Sequence, residues 1–243
     1  MIIPTYNEAE NLPRLVSALF ALPLKLNILV VDDNSPDGTG TIADNLAKTH
    51  LGKLQVIHRA GKLGLSSAYL NAFQTLFNEN VDAVGQMDSD FSHDPTALVQ
   101  MAERLEECDL VLGSRYIPGG STDVQWPLWR KALSAWGNFY ARSILGMPQR
   151  DVTGGFRLWR RETLQAMPLD RIKASGYIFM VEMAYLAWCL KFKIAEVPIY
   201  FAERRLGKSK MSFKIQVEAA LRVWQVLWAY RDLRRKGAAG RVS

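Results

Sequence analysis

Two carboxylates stand two positions apart in Met87-Asp88-Ser89-Asp90-Phe91-Ser92, where the apolar run of residues 81–87 stops. That run, with Val81, Ala83, Val84 and Met87, reads as a short buried strand. An Asp-x-Asp on an extended tip can aim both carboxylates at one hard divalent cation. A cation held by so few protein oxygens completes its shell with water and with the phosphates of a substrate. The same triplet also suits a polar turn ahead of a helix near Pro95, because Asp and Ser cap helices. Three other polar tips bear on the choice: Pro4-Thr5-Tyr6-Asn7-Glu8, Asp32-Asp33-Asn34-Ser35 and Gly113-Ser114-Arg115 each close an apolar run.

The elements that must position these tips alternate over the first 114 residues. Strands are expected at 2–3, 28–32, 54–58, 83–87 and 110–113, and helices at 8–21, 39–49, 65–78 and 95–107. In the first helix Leu12, Leu15, Val16 and Leu19 repeat at helical spacing. The rhythm predicts an α/β fold, a Rossmann-like and mostly parallel sheet with helices on both faces and ligands at the carboxyl ends of its strands. The four polar tips would then stand side by side along one crevice. The opening strand is short: Met1-Ile2-Ile3-Pro4 gives barely three apolar residues where a core strand has about five or six, as if the start were set late or a few residues lost.

After Arg115 the pattern changes. Residues 116–123 are Gly/Pro loop, 126–147 a helix, 151–159 extended, 177–190 a strongly apolar helix and 195–201 a strand. A last helix at 212–235 carries Val217, Leu221, Trp224, Leu227 and Trp228 and runs into a basic tail. No linker interrupts the chain, so residues 1–243 are expected to form a single domain whose second half elaborates the sheet.

Bulk composition narrows the classes of partner. The chain has 243 residues, 49% of them hydrophobic, and a net charge of +6. The basic excess lies in two clusters, Arg204, Arg205, Lys208, Lys210 and Lys214, then Arg231, Arg234, Arg235, Lys236 and Arg241. Such a surplus suits nucleic acid, anionic lipid or a phosphorylated substrate. Cys108 and Cys189 lie in apolar settings, which points to a reducing compartment without a disulfide, and three scattered histidines make no zinc set. No apolar window of about 18 residues and no signal peptide are seen.

Taken in order, these motifs resemble the inverting nucleotide-sugar glycosyltransferases with a GT-A fold, glycosyltransferase family 2, and within it the polyprenol-phosphate (dolichol-phosphate) mannose synthase group. The resemblance rests on Pro4-Thr5-Tyr6-Asn7-Glu8, Val30-Val31-Asp32-Asp33-Asn34-Ser35-Pro36-Asp37-Gly38-Thr39 and Met87-Asp88-Ser89-Asp90-Phe91-Ser92-His93. It continues through Gly113-Ser114-Arg115-Tyr116, Asp151-Val152-Thr153-Gly154-Gly155-Phe156-Arg157 and residues 201–210 with Arg204, Gly207, Ser209 and Lys210. The first and third motifs are common across the broad transferase family; the Asp-Asn-Ser-Pro-Asp-Gly-Thr segment and the last two motifs point to the polyprenol-phosphate group.

The resemblance implies metal-dependent transfer of mannose from GDP-mannose to polyprenol or dolichol monophosphate. Residues 1–115 would form the nucleotide-sugar half and 116–243 the acceptor half. Pro4, Tyr6 and Glu8 would border the base and ribose, Asp33 would accept from one of them, and Val31 and Ser89 would line the same donor site. Asp88 and Asp90 would hold Mg²⁺ or Mn²⁺ against the diphosphate, with Ser92 as a weak third ligand. Arg115 and Arg130 would take the acceptor phosphate, and Arg204 and Lys210 would add cations beside the donor. Asp90 and Arg115 are then the catalytic pair, while Arg157 could instead brace a loop with Asp151, and Asp37 would cap the helix after it. Transfer to a hydroxyl needs a base, but a lipid phosphate is already anionic near pH 7 and needs cations instead. Attack opposite the leaving nucleotide would turn an α-linked sugar nucleotide into a β-linked lipid phosphate.

A polyprenol acceptor also implies work at the cytoplasmic face of a membrane, as a peripheral protein or with small membrane-anchoring subunits. Trp126, Trp129 and Trp136 near Arg130 and Lys131, and Trp224 and Trp228 before the basic tail, have the composition of interfacial helices. The stripe at 217–228 equally suits core packing. Two other readings remain: a hexosyltransferase using a UDP-sugar on the same architecture, and a nucleotide- or RNA-binding module without catalysis. The ordered strand-end motifs disfavour the module, because RNA binders show aromatic platforms on strands, so no nucleic-acid partner is expected.

Overall fold

The computed structural model describes residues 1–203 and 213–234, and of Tyr177 and residues 213–219 the backbone alone. Its elements begin β1 (Ile2–Thr5), α1 (Leu12–Phe20), β2 (Ile28–Asp32), α2 (Thr39–Thr49), β3 (Leu54–His58) and α3 (Leu65–Leu76). Then come β4 (Ala83–Gln86), α4 (Ala97–Leu105), β5 (Leu110–Ser114), β6 (Ser121–Thr122), α5 (Leu128–Leu145) and β7 (Arg157–Arg160). The chain continues through α6 (Arg161–Ala166), a 3₁₀ turn (Leu169–Arg171), α7 (Tyr177–Cys189), β8 (Ile194–Pro198), β9 (Tyr200–Phe201) and α8 (Phe213–Ala229).

Seven strands make one sheet in the order β3-β2-β1-β4-β7-β5-β8, and β7 is antiparallel to both its neighbours. The expected row of four adjacent parallel tips is therefore corrected. The ends of β2, β1 and β4 are contiguous, but β7 separates β4 from β5. Because β7 runs backwards, its start lies at the carboxyl edge of the parallel strands. The Asp151–Arg157 segment is thereby fed into the crevice between Asp88 and Arg115. The halves expected on either side of residue 115 share this sheet, since β7 and β8 complete it.

Strand residues alternate between two cores. Ile3, Val30, Val111 and Val197 pack with Leu12, Leu15, Val16 and Leu19 of α1 and Leu98 and Met101 of α4. Ile2, Leu29, Val31, Leu110 and Trp159 face the other way, toward Tyr69 and Phe73 of α3, the apolar helix α7, and Val223 and Val226 of α8. Both cysteines are buried. The strand expected over 195–201 is broken in two: after Pro198 the chain leaves the sheet, and β9 pairs with β6 in a separate two-stranded ribbon. Pro198 stands on the edge strand, where its missing N–H costs no ladder bond, and the Ile199 N–H makes the last bond to the Ser114 carbonyl at 3.0 Å.

Among the described residues no helix is long and apolar enough to cross a membrane. Instead α5 turns an apolar stripe outward, through Leu128, Trp129, Ala132, Ala135, Trp136 and Phe139, with Trp129 67% and Phe139 63% exposed. Leu221, Trp224 and Trp228 of α8 are exposed as well, while Val223, Val226 and Tyr230 face the core. Trp136 stacks on Tyr140, whose hydroxyl accepts from Trp224 Nε1 at 3.1 Å, so the two stripes form one surface. Trp126, grouped with the interfacial tryptophans on sequence, is only 6% exposed because it precedes the helix and lies under Arg130.

The end of α8 is pinned by Tyr230, which donates to the buried Glu182 carboxylate of α7 at 2.9 Å; the Ala174 N–H supplies another donor at 2.8 Å. Tyr230→Phe takes one donor from a buried carboxylate, and its urea midpoint should fall by the equivalent of about 1–3 kcal/mol. An unchanged midpoint would mean that this bond does not anchor the helix.

Candidate functional site

At the tip of β4 the chain turns sharply. Ser89 Oγ donates to the Pro4 carbonyl at 3.3 Å, holding this tip to the end of β1. Phe91 lies at φ +59°, a left-handed conformation that a bulky residue adopts only under local constraint. The Ser92 N–H closes that turn on Asp90 Oδ1 at 3.0 Å. Asp90 is buried and Asp88 half-buried, two residues apart as the sequence requires.

The groups around the pair keep it in place. The Asp88 N–H points at His93 Nδ1, 3.3 Å away, which leaves the ring proton on Nε2 in the neutral tautomer. Burial lowers the His93 pKa, against the pull of Asp88 and Asp90, and the ring is stacked on Phe156 and edge-on to Phe201. A Cβ at Gly155 would meet Asp88 Oδ1 at 3.4 Å and His93 Cε1 at 3.6 Å, so glycine gives the carboxylate clearance. The neighbouring Gly154 packs against the Gly113 carbonyl, where a Cβ would come within 3.2 Å.

The donor set suits a hard cation that takes much of its shell from substrate. No group of three or more His, Cys, Asp or Glu side chains among the described residues could hold a metal alone. Two carboxylates plus diphosphate oxygens and water match Mg²⁺ or Mn²⁺ chemistry. The Ser92 hydroxyl is fully buried with no hydrogen-bond partner in the described structure, which leaves it a neutral oxygen at the same tip.

On the β1–β2 side, Asp32 and Asp33 separate in role. Asp32 is internal: it accepts from Thr5 Oγ1 (3.0 Å), Ser35 N (3.0 Å) and Ser35 Oγ (2.6 Å). Asp33 is ion-paired with Arg59, whose guanidinium also donates to the Gly64 carbonyl and to Ser67 Oγ. Asp37 ties two elements together, accepting from the Ala9 N–H and from both Thr39 N and Oγ1. Burial would raise the Asp37 pKa, but these hydrogen bonds outweigh it and hold the carboxyl low. Thr39, the first residue of α2, in turn accepts from the Glu8 N–H at 2.9 Å, fixing the Tyr6–Glu8 turn over the end of β1. The Val31 side chain is fully buried in the core beneath α3, so any donor contact there is with its backbone.

Arg59, Lys62 and Gly64 escaped the sequence reading, although the end of β3 carries the same turn-and-charge chemistry as the other tips. Gly64, at φ +93°, turns the 59–64 loop back, and its N–H lies 3.4 Å from Asp33 Oδ2. Lys62 sits over the face of Tyr6, with Nζ 3.7 Å from the ring centre.

On the β5 side Arg115 is held rather than free-standing. Nε and Nη2 grip Asp151 at 2.7 and 2.8 Å, the Arg115 N–H adds a third bond at 3.0 Å, and Nη2 also reaches Thr153. Burial acts against both charges, and the mutual attraction overcomes it: the Asp151 pKa is lowered and that of Arg115 raised. The partner of Asp151 is thus Arg115, correcting the expectation that Arg157 would brace it. Arg157 is fully buried and donates to the Gly154 and Val152 carbonyls, and burial lowers its pKa to about 10. Asn138 of α5 accepts from Val152 N and Thr153 N, so the 151–157 segment is fastened from several sides.

Arg130 lies 3.7 Å over the Trp126 ring and pairs with Glu203. It is joined to Arg115 through Phe201, whose ring lies 5.2 Å from the Arg115 guanidinium and 5.6 Å from Trp126. The Ala202 N–H then bonds the Ser92 carbonyl at 3.0 Å, tying this aromatic bridge to the Asp88–Asp90 tip. Asp88, Asp90, Arg115 and the Pro4–Glu8 turn therefore border one crevice, with Arg130 at its outer side. Arg204 and Lys210 lie outside the described residues.

Comparison with known proteins bears on the family and the fold. Residues 1–167 match the family model described as Glycosyl transferase family 2. The chain is 42% identical over 232 residues to a polyprenol monophosphomannose synthase of Mycolicibacterium smegmatis, covering 95% of this chain and 86% of the relative. It is 43% identical over 237 residues to an undecaprenyl-phosphate mannosyltransferase of Micrococcus luteus, covering 97% of both. Among solved structures, glucosyl-3-phosphoglycerate synthase of Mycobacterium tuberculosis with Mn²⁺, UDP-glucose and phosphoglyceric acid shares the fold, with a TM-score of 0.62 at 17% identity. That alignment covers 93% of this chain and 77% of the other.

The Arg115–Asp151 pair has a measurable consequence. Asp151→Asn leaves a buried guanidinium without its counter-charge and should destabilise the fold by about 3–5 kcal/mol in urea. Because the folded Asp151 pKa is depressed, its contribution is complete above the unfolded carboxyl value of about 3.9 and is lost as pH falls through the folded value. The gap between wild type and Asp151→Asn should therefore narrow below about pH 4; a constant gap would show that the charge is not what holds the loop.

Proposed function

The chain belongs to glycosyl transferase family 2, and from that membership we propose that it transfers mannose from GDP-mannose to the phosphate of a polyprenol, with inversion at the anomeric carbon. The observation that carries this reading is the placement of the Asp88–Asp90 tip against the Arg115–Asp151 pair, across Gly155 and His93. It puts carboxylates suited to a donor-bound cation beside an arginine suited to an anionic acceptor.

Asp88 and Asp90, with Ser92 beside them, would hold Mg²⁺ or Mn²⁺, which supplies Lewis-acid stabilisation of the departing diphosphate. Tyr6 offers its ring to the base, Glu8 and Asp33 accept from base or ribose donors, and Pro4 and Ser89 shape the floor between them. Arg115 keeps Nε and Nη2 on Asp151 and turns its remaining Nη1 to the acceptor phosphate; Arg130 provides a second cation from the outer side. Arg204 and Lys210 would add further positive charge for the phosphates. The acceptor oxygen carries its own negative charge, so the residues position and neutralise without removing a proton.

A long polyprenol tail requires work at a bilayer, and the outward stripes of α5 and α8 supply the surface for it. Arg231 and Arg234 are exposed just beyond the α8 stripe, where they favour anionic headgroups. We place the protein peripherally, with the crevice and the α5–α8 face toward the same leaflet.

Incubation with polyprenol phosphate and labelled GDP-mannose or UDP-glucose, with and without EDTA, tests the chemistry. Label should enter lipid from GDP-mannose and stop with EDTA. Entry only from UDP-glucose would sink the mannose reading, and transfer insensitive to EDTA would remove the metal. The surface is tested separately by sedimentation with anionic phospholipid vesicles. Trp129→Ser combined with Trp136→Ser and Phe139→Ser should lower vesicle binding roughly tenfold or more while the melting temperature holds, since these side chains are exposed. Undiminished binding would move the membrane contact elsewhere.

A further inference from the structure

Lys62 is an exposed side chain on a fixed loop. Arg59 fastens the loop's start to Asp33 and Ser67, and Gly64 fastens its end by turning the chain and offering its N–H to Asp33. Between these anchors the Lys62 ammonium rests 3.7 Å over the Tyr6 ring, a cation–π contact that is weak when solvated. Arg59 already neutralises Asp33, so that carboxylate does not draw Lys62 away. A base stacking on this face of Tyr6 would have to displace the ammonium, which then stands beside the base on a flexible stem.

We propose that Lys62 reads the nucleotide base, passing from the Tyr6 ring to the O6/N7 edge of a guanine; the proposal rests on the site being a GDP-mannose donor site. The chemistry favours guanine. An ammonium only donates, and guanine sets two acceptors side by side. Adenine puts an amino donor in place of O6, and uracil has a single carbonyl on the corresponding edge. Lys62 is thus a specificity-determining residue, distinct from the groups that hold the diphosphate.

The test is titration calorimetry of GDP, IDP, ADP and UDP with Mg²⁺ against the full-length wild type, Lys62→Met and Lys62→Arg. IDP keeps O6 and N7, so Lys62→Met should weaken GDP and IDP alike, each by roughly tenfold, and ADP and UDP by less than about twofold. Lys62→Arg should restore GDP binding, and in turnover the loss in Lys62→Met should fall on KM for GDP-mannose. Equal losses for all four nucleotides would overturn the proposal in favour of plain attraction to the diphosphate, as would an unchanged GDP affinity. A wild type that prefers UDP would overturn the donor reading and this one together. A preference for GDP that survives in Lys62→Met would overturn only the role of Lys62.

Discussion

The buried pair of Arg115 and Asp151 is the constraint on which the site depends. Asp151 precedes β7, a reversed strand between β4 and β5, and Arg115 follows β5. Their bidentate contact, with the third bond from the Arg115 N–H, fixes where the reversed segment enters the crevice. Everything downstream is placed relative to that entry: Gly155 beside Asp88, Phe156 under His93, and Phe201 against both His93 and Arg115. A buried ion pair adds little net stability over an apolar one of the same shape, whereas breaking it strands a charge. Its value here is positional, because it ties the 151–157 segment to the end of β5.

Local patterns made much of this legible. β2, β3 and α2 fall on their expected bounds because apolar period and turn residues coincide there. The Asp-x-Asp tip was readable because an apolar run stops at it. What sequence did not give was pairing across distance. Asp151 lies six positions from Arg157 and 36 from Arg115, yet it bonds the more distant one. Arg157, which the sequence allowed as a brace for the loop through Asp151, opens a four-residue strand that no periodicity marks; the fold buries it against two carbonyls instead.

The tryptophans show the same limit. Trp126 and Trp129 are three residues apart and equally aromatic, but α5 starts at Leu128. Trp126 therefore sits in the preceding turn beneath Arg130, while Trp129 joins the outward stripe. In α8 most of the stripe read from the spacing turns outward, through Leu221, Trp224 and Trp228, and the inward face is made instead by Val223 and Val226 with Leu227 partly buried beside them. Hydrophobic spacing alone does not say which of two apolar faces meets the core. The stacking of Trp136 on Tyr140, and the bond from Trp224 to that tyrosine, make the exposed remainder continuous.

The commitments of the titratable groups favour an anionic acceptor over a hydroxyl. A hydroxyl acceptor needs a group that can take its proton. Asp151 is closed by Arg115, and Asp33 by Arg59. His93 has its accepting nitrogen turned to the Asp88 N–H, and its other nitrogen carries the proton. These three side chains have the right type for a base and the wrong connections. With the Asp88 and Asp90 carboxylates of a type that suits a cation, the crevice is better equipped to gather negative charge than to generate a nucleophile. A phosphate acceptor asks for that and no more: its oxygen is already ionised, and the remaining barrier lies in bringing it close to a diphosphate of the same sign. The Arg115 guanidinium is suited to this because Asp151 fixes its orientation before any ligand arrives.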